Sequence, residues 1–192
     1  MKKEFSIQNI EAAVAALLHE LGEDVTRPGL AETPRRAAEM FCEMLEGMRH
    51  TNDEIAARFN KCFAYDAHDM VVVRDIGLFS FCEHHFALMY NMKAHIGYIP
   101  RGKVLGLSKI ARIADMVGKR FQLQERIGSD IAEILQKILD TPDVAVVIEG
   151  EHSCMSARGI RAQGATTCTY ALRGAFGAEG PLRDEILRRL KG

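Results

Sequence analysis

Met70-Val71-Val72-Val73-Arg74-Asp75-Ile76-Gly77-Leu78-Phe79-Ser80-Phe81-Cys82 is the stretch on which the fold turns. It is the first β-rich run of the chain, and what precedes it has helical character. A second run, Lys93 to Ile99, lies close enough to pair with it as an antiparallel hairpin. Upstream, Ile10, Val14, Leu17, Leu18 and Leu21 recur at helical spacing over residues 8–21, and Gly22 supplies the stop. Thr33-Pro34 predicts a second helix, with Thr33 as the cap and Pro34 at the first helical position. That helix runs through Ala37, Met40, Phe41, Met44 and Leu45 toward Gly47, and Asn52 to Phe59 predicts a shorter third.

Downstream, a helix starting near Ser108 carries Ile110, Ile113, Ala114 and Val117 on one face. Another, from about Gln124 to Leu139, carries Ile127, Ile131, Leu135 and Ile138 and is broken by Asp140-Thr141-Pro142. Strands at Val144 to Glu149 and Ala165 to Leu172 follow, then a last amphipathic helix from Pro181 through Leu182, Ile186, Leu187 and Leu190. Paired strands separated by paired helices predict an α+β domain, its helices on one face of a four-stranded antiparallel sheet. The join near residues 60–69 divides a helical segment, 1–65, from the sheet-bearing remainder, 66–192.

With 192 residues, 47% of them hydrophobic, the chain is long enough for one domain with a real core. A net charge of −1 provides no global field for nucleic acid, so any anionic ligand must be caught by a local cluster of Lys and Arg. Met1-Lys2-Lys3-Glu4-Phe5-Ser6 lacks the apolar run of a signal peptide, and nothing approaches the roughly 20 apolar residues of a membrane span. The expectation is a soluble cytoplasmic protein. Its five scattered cysteines argue against a disulfide framework.

Phe81-Cys82-Glu83-His84-His85-Phe86 brings a thiol and two imidazoles together at the end of an apolar strand. A Cys-x-x-His spacing lets thiolate and imidazole converge on one ion. His152-Ser153-Cys154 follows the end of a second strand, and in extended chain its outer residues share a side. Two cysteines and one histidine leave the fourth position of a tetrahedral zinc site open for water, which becomes a nucleophile at neutral pH. The spacing leaves open whether His84 or His85 is the ligand, and whether His152 is a fourth. Cys42, Cys62 and Cys168 are expected to be packing residues, His19, His50 and His68 solvated, and His95 structural.

Gly106-Leu107-Ser108-Lys109 leads into a helix whose next turn carries Arg112, a set suited to a phosphate at a helix N-terminus. Arg158 follows Cys154 closely, while Arg36 on the second helix is the weakest anion candidate. Gln124-Glu125 sets an amide beside a carboxylate at a helix start. Glu125 either complements the helix dipole or accepts from a guanine edge with Gln124 assisting.

Cys82-Glu83-His84-His85, Gly106-Leu107-Ser108-Lys109, Gln124-Glu125-Arg126, His152-x-Cys154 and Arg158-Gly159 occur together in the order of the GTP cyclohydrolase I family, which the chain resembles from Glu32-Thr33-Pro34-Arg35-Arg36 to the C-terminal helix. The resemblance implies the tunnelling fold and a homo-oligomer of two stacked pentameric rings, with active sites at subunit interfaces. It implies conversion of GTP to 7,8-dihydroneopterin triphosphate and formate, the entry to folate or biopterin synthesis. Zn2+ ligands fall on Cys82, His85 and Cys154, and proton transfer on His84 and His152. Glu125 and Gln124 would hold the guanine edge, with Ser108 near the ribose. Lys109, Arg112, Arg158 and Arg36 would hold the triphosphate, Arg36 coming from a neighbouring subunit. The rival readings are another tunnelling-fold purine or pterin enzyme and a non-catalytic module with a structural zinc. Between His85 and Pro100 the chain is one residue longer than the family's usual turn and lacks its glycine, with Asn91 suited to a left-handed turn there.

Overall fold

The computed structural model describes residues 4–191. Helix α1 (Ile7–Glu20) opens on Ser6, whose hydroxyl accepts the Asn9 N–H at 3.3 Å. Helix α2 (Thr33–Met44) begins one residue earlier than its Thr-Pro signal predicts. Glu32 holds the cap position without a side-chain bond, and the Thr33 N–H donates to the Leu30 carbonyl in the preceding turn. Helix α3 (Asn52–Phe59) starts at a complete capping box between Thr51 and Glu54. Next come β1 (Cys62–Ala64), β2 (Val71–Cys82), β3 (Ala87–Tyr98), β4 (Lys103–Leu105), α4 (Leu107–Gly118), β5 (Phe121–Gln122) and α5 (Gln124–Leu139). The chain finishes with β6 (Val144–His152), the single turn α6 (Ser153–Ser156), β7 (Thr166–Leu172) and α7 (Pro181–Lys191).

The main sheet runs β5-β2-β3-β6-β7, antiparallel except where β5 lies parallel to the end of β2. Its four long strands are those expected, and β5 is too short to leave a periodic signal. β1 and β4 form a separate ribbon. β3 begins at Ala87, six positions before the expected Lys93, because a bulge interrupts its alternation. Between Tyr90 and Lys93 it carries an extra residue relative to both neighbours, and Asn91 sits there at φ 49°. The residue that the sequence assigned to a longer turn is therefore absorbed inside a strand, where the Asn91 amide donates to Glu151 at 2.9 Å. The bulge also flips the pleat, so that Met89 and Met92 both face the core.

Helices α4 and α5 cover one face of this sheet. Ile110, Ile113, Ala114 and Val117 of α4 are fully buried, as are Ile127, Ile131 and Leu135 of α5, against Ala94, Ile96, Val146 and Ile148. Each such aliphatic side chain contributes about 2 kcal/mol by leaving water. Asp140 ends α5 in the left-handed region at φ 53°, where the Asp-Thr-Pro break was expected. Ile186 and Leu190 of α7 cover the other face with Phe176, Ala145 and Val147. The N-terminal segment joins the main core through Ile55, Ala56 and Phe59 of α3. Among the described residues no helix is long and apolar enough to cross a membrane.

A half-buried cation locks that segment to the sheet. Arg120, between α4 and β5, donates to the Gly47 carbonyl (3.1 Å), the His50 carbonyl (3.0 Å), the Asn52 amide oxygen (2.9 Å) and the Asp130 carboxylate (3.1 Å). Burial pulls the guanidinium down from its usual pKa, and Asp130 offsets this. Gly47 must be glycine, since a Cβ there would collide with the Met116 carbonyl at the end of α4. Replacing Arg120→Met would leave Asp130 without its cation and take a donor from the Gly47 and His50 carbonyls. The expected cost is about 3 kcal/mol, read as a lower urea midpoint than that of Arg58→Met, whose exposed pair with Glu46 is worth little. Equal midpoints for the two variants would remove Arg120 from this role.

Candidate metal centre and active site

β2 delivers Cys82, buried at the end of its core-facing row, and the chain then turns back within Glu83–Phe86. The Phe86 N–H closes that turn on the Cys82 carbonyl at 3.0 Å, and Phe86 adopts φ 55°. Three contacts hold the turn in place. The Glu83 N–H donates to the Gln122 carbonyl of β5 at 3.2 Å. Arg126 grips the Glu83 carboxylate with two bonds, of 2.8 and 3.3 Å. The Phe86 ring packs against Phe121, Phe41 and Phe81 with centroids 4.9, 5.2 and 5.9 Å away. His84 and His85, exposed on this turn, meet edge to face at 6.3 Å.

From the other side, β6 ends at His152 and winds directly into α6. Cys154 is therefore not in extended chain, and the alternation that was expected to align it with His152 does not apply. The turn is instead fixed by the Ser153 hydroxyl, which donates to the Leu88 carbonyl of β3 at 2.7 Å, and by a 3.1 Å bond between Ser156 and the Tyr90 hydroxyl. So held, Cys154 reaches Cys82 and His85, and one donor atom from each lies within 4.8 Å of the others. His84 and His152 are not in that group.

The chemistry of these donors fits a borderline-soft divalent cation. Burial, and then the neighbouring Cys82 thiol, push the Cys154 pKa up, while Arg158 pulls it down. Two adjacent thiols resist ionising together, and a bound cation is what reverses that preference. Arg158 Nη1 stands 2.9 Å from His85 Nε2. A guanidinium only donates, so Nε2 is the acceptor in this contact.

Other predicted residues fall in three places. Gln124 lies at 2% exposure behind His152, to which it is bonded, and Glu125 beside it is exposed and pulls the His152 pKa up against the larger lowering by burial. Lys109 and Arg112 line a cleft of about 360 Å³ together with Arg58, Glu46 and Asp115, while Ser108 is exposed at the start of α4. Arg36 stands out on α2, 76% exposed and paired with Glu32. Arg58, Arg126 and the phenylalanine pile leave no signal in the sequence, since nothing in the local pattern marks Glu83 as the partner of Arg126. Cys168, expected to pack, is exposed on the edge strand β7, and His95 is structural as expected, its Nδ1 accepting the Asp75 N–H at 3.3 Å.

Fold and site together define an α+β protein with a Cys/His group able to hold a metal. A family model described as GTP cyclohydrolase I matches residues 10–191. The chain is 55% identical over 190 residues to GTP cyclohydrolase 1 of Ruminiclostridium cellulolyticum, covering 96% of this chain and 97% of that one. It is 53% identical over 187 residues to GTP cyclohydrolase 1 of Clostridium botulinum strain Loch Maree, with 94% and 95% covered. Against GTP cyclohydrolase 1 of Clostridium acetobutylicum the identity is 49%, with 95% and 96% covered. The chain belongs to the GTP cyclohydrolase I family, and its α+β sheet with α4 and α5 on one face is the tunnelling fold expected of a member.

A direct check is Cys154→Ala. Cys154 is only partly buried and its turn is held by Ser153 and Ser156, so the variant is expected to keep the wild-type circular dichroism and lose bound divalent metal on dialysis. Retention of stoichiometric metal would remove Cys154 from the group.

Proposed function

We propose that the chain hydrolyses and rearranges GTP to 7,8-dihydroneopterin triphosphate and formate, using zinc held by Cys82, His85 and Cys154. The observation that carries this reading is the convergence of those three donors from two strand ends, with imidazoles on both flanking segments. Family membership, at up to 55% identity over nearly the whole chain, supports the same reaction and disfavours a non-catalytic module. A zinc ion there would supply Lewis acidity and a hydrolytic nucleophile at neutral pH.

The chain's own groups would do the rest. His152 would donate a proton to the purine N7, making the neighbouring ring carbon electrophilic, and His84 would assist later proton transfers. Glu125 would accept from the guanine edge, with Ser108 near the ribose. Lys109, Arg112 and Arg158 would hold the triphosphate by charge-assisted bonds that fix its position as well as its affinity. Arg36, exposed on α2 in a pair with an exposed Glu32, suits a phosphate presented by a second subunit.

A homo-oligomer, with a decamer of two pentamers as the family precedent, fits two features of the single chain. Leu17 and Leu21 of α1 are 58% and 72% exposed, and among the described residues β7 has only β6 beside it. The five cysteines are free, in keeping with a cytoplasmic setting.

Zinc-loaded protein given GTP is expected to yield the fluorescent oxidised neopterin, and chelator is expected to abolish it. Untouched GTP would end the proposal. Glu125→Gln is expected to keep its zinc and raise KM for GTP about 10-fold, the scale of losing one charge-assisted hydrogen bond. Unchanged turnover in that variant would take Glu125 out of the site.

A further inference from the structure

Gln124 begins α5 underneath β6 and β7, and both ends of its amide are used. Nε2 donates to the Ile148 carbonyl at 3.0 Å and to the Thr167 carbonyl at 2.9 Å, with the Thr169 hydroxyl at 3.5 Å. Carbonyl oxygens only accept, so turning the amide over would set oxygen against oxygen at two buried contacts. The orientation is fixed by chemistry, and it leaves Oε1 facing His152 Nε2 at 2.7 Å. Oε1 only accepts as well. His152 Nε2 must therefore carry a hydrogen, and in the neutral ring the lone pair lies on Nδ1.

The seat of this amide is shaped for it. A Cβ on Gly150 would lie 2.7 Å from Met92 Cγ and 3.4 Å from Gln124 Oε1, so only glycine at that point of β6 leaves both in place. Among the described residues no buried side-chain nitrogen or oxygen lacks a partner, so Gln124 has no unfilled bonding that would draw it toward a ligand.

We propose that Gln124 is a positioning residue acting through His152. It holds the imidazole with its Nε2 hydrogen turned inward and so presents Nδ1 as the nitrogen that meets substrate; Nδ1 takes up a proton from water before the ring passes that proton to the purine N7, and Nε2 keeps its own. The orientation of the ring stands on the geometry alone; that the molecule meeting Nδ1 is GTP rests on the function proposed above.

Two substitutions separate the hydrogen-bond acceptor from the donors. Gln124→Met loses both, and Gln124→Glu keeps an acceptor for His152 while losing the donors to Ile148 and Thr167. Nitrogen NMR of the metal-loaded protein with isotope-labelled histidine reads the ring, with His152 assigned by its absence in His152→Asn. The wild type and Gln124→Glu are expected to show the Nε2-protonated form, and Gln124→Met a mixture of tautomers. In Gln124→Met, kcat is expected to fall about 10- to 100-fold, the range for removing an imidazole's orienting partner, with KM for GTP and metal content within about twofold of wild type. An Nδ1-protonated ring in the wild type, or an unchanged ring in Gln124→Met, overturns the inference. So does a rise in KM at constant kcat, which would make Gln124 a substrate contact. Absence of any GTP turnover in the wild type would strike the proposed reaction and leave the NMR result to decide this one.

Discussion

Backbone hydrogen-bond register is the constraint on which the site depends. Ser80 of β2 pairs with Met89 of β3, and Met89 pairs with His152 of β6, so these residues form one row across the sheet. β2 and β6 run in the same direction across the intervening antiparallel strand, and each places its cysteine two residues beyond the row. Cys82 and Cys154, far apart in sequence, emerge at the same end of the sheet because of that pairing. A slip by one residue in either ladder would turn every side chain of the strand to the opposite face and separate the thiols. The bulge at Tyr90–Lys93 belongs to the same device, since it is taken up against β2 and β6 alike and leaves the last row aligned.

Buried polar groups then convert this alignment into a fixed site. Arg120 and Asp130 pin the N-terminal segment at one point, and Asp130 also accepts from Asn52 at 3.2 Å and from the Gln122 amide of β5 at 3.0 Å. The Ser80 hydroxyl donates to the Arg120 carbonyl at 3.0 Å, and the Phe81 N–H reaches the same oxygen at 3.4 Å. The path from the half-buried ion pair to the turn that carries His85 is thus a few hydrogen bonds long. A desolvated pair of this kind contributes little net stability when compared with an apolar replacement. Its value here is geometric, because it settles where β5 and the end of β2 lie.

Elements with sustained periodicity were legible in the sequence. The faces of α4 and α5 are buried as Ile110, Ile113, Ile127 and Ile131 foretold, and Asp140 stops α5 where expected. The start of β3 was not, because the bulge breaks alternation between Ala87 and Lys93. β5 is too brief to register. The three metal-group residues were named in advance, but the argument for Cys154 relied on extended chain, and the structure achieves the same meeting by a helical turn. Gln124 shows the deeper limit. Its neighbour Glu125 and its place at a helix start were visible, whereas its burial under β6 and β7 depends on long-range packing that no local pattern encodes.

The pile of Phe41, Phe81, Phe86 and Phe121 has a consequence for how the molecule comes apart. Phe41 belongs to α2, and α2 packs on α1, a helix with no fully buried residue. Within the single chain the α1–α2 hairpin is lightly held, and Phe41 is a ring through which it leans on the turn bearing His85. Warming should therefore unfasten the chain in sequence, the hairpin loosening first, the His85 turn next, and the five-stranded sheet last. Such a molecule would lose the meeting of Cys82, His85 and Cys154 while most of its backbone was still intact, and its working temperature limit would be set by four rings and not by its core.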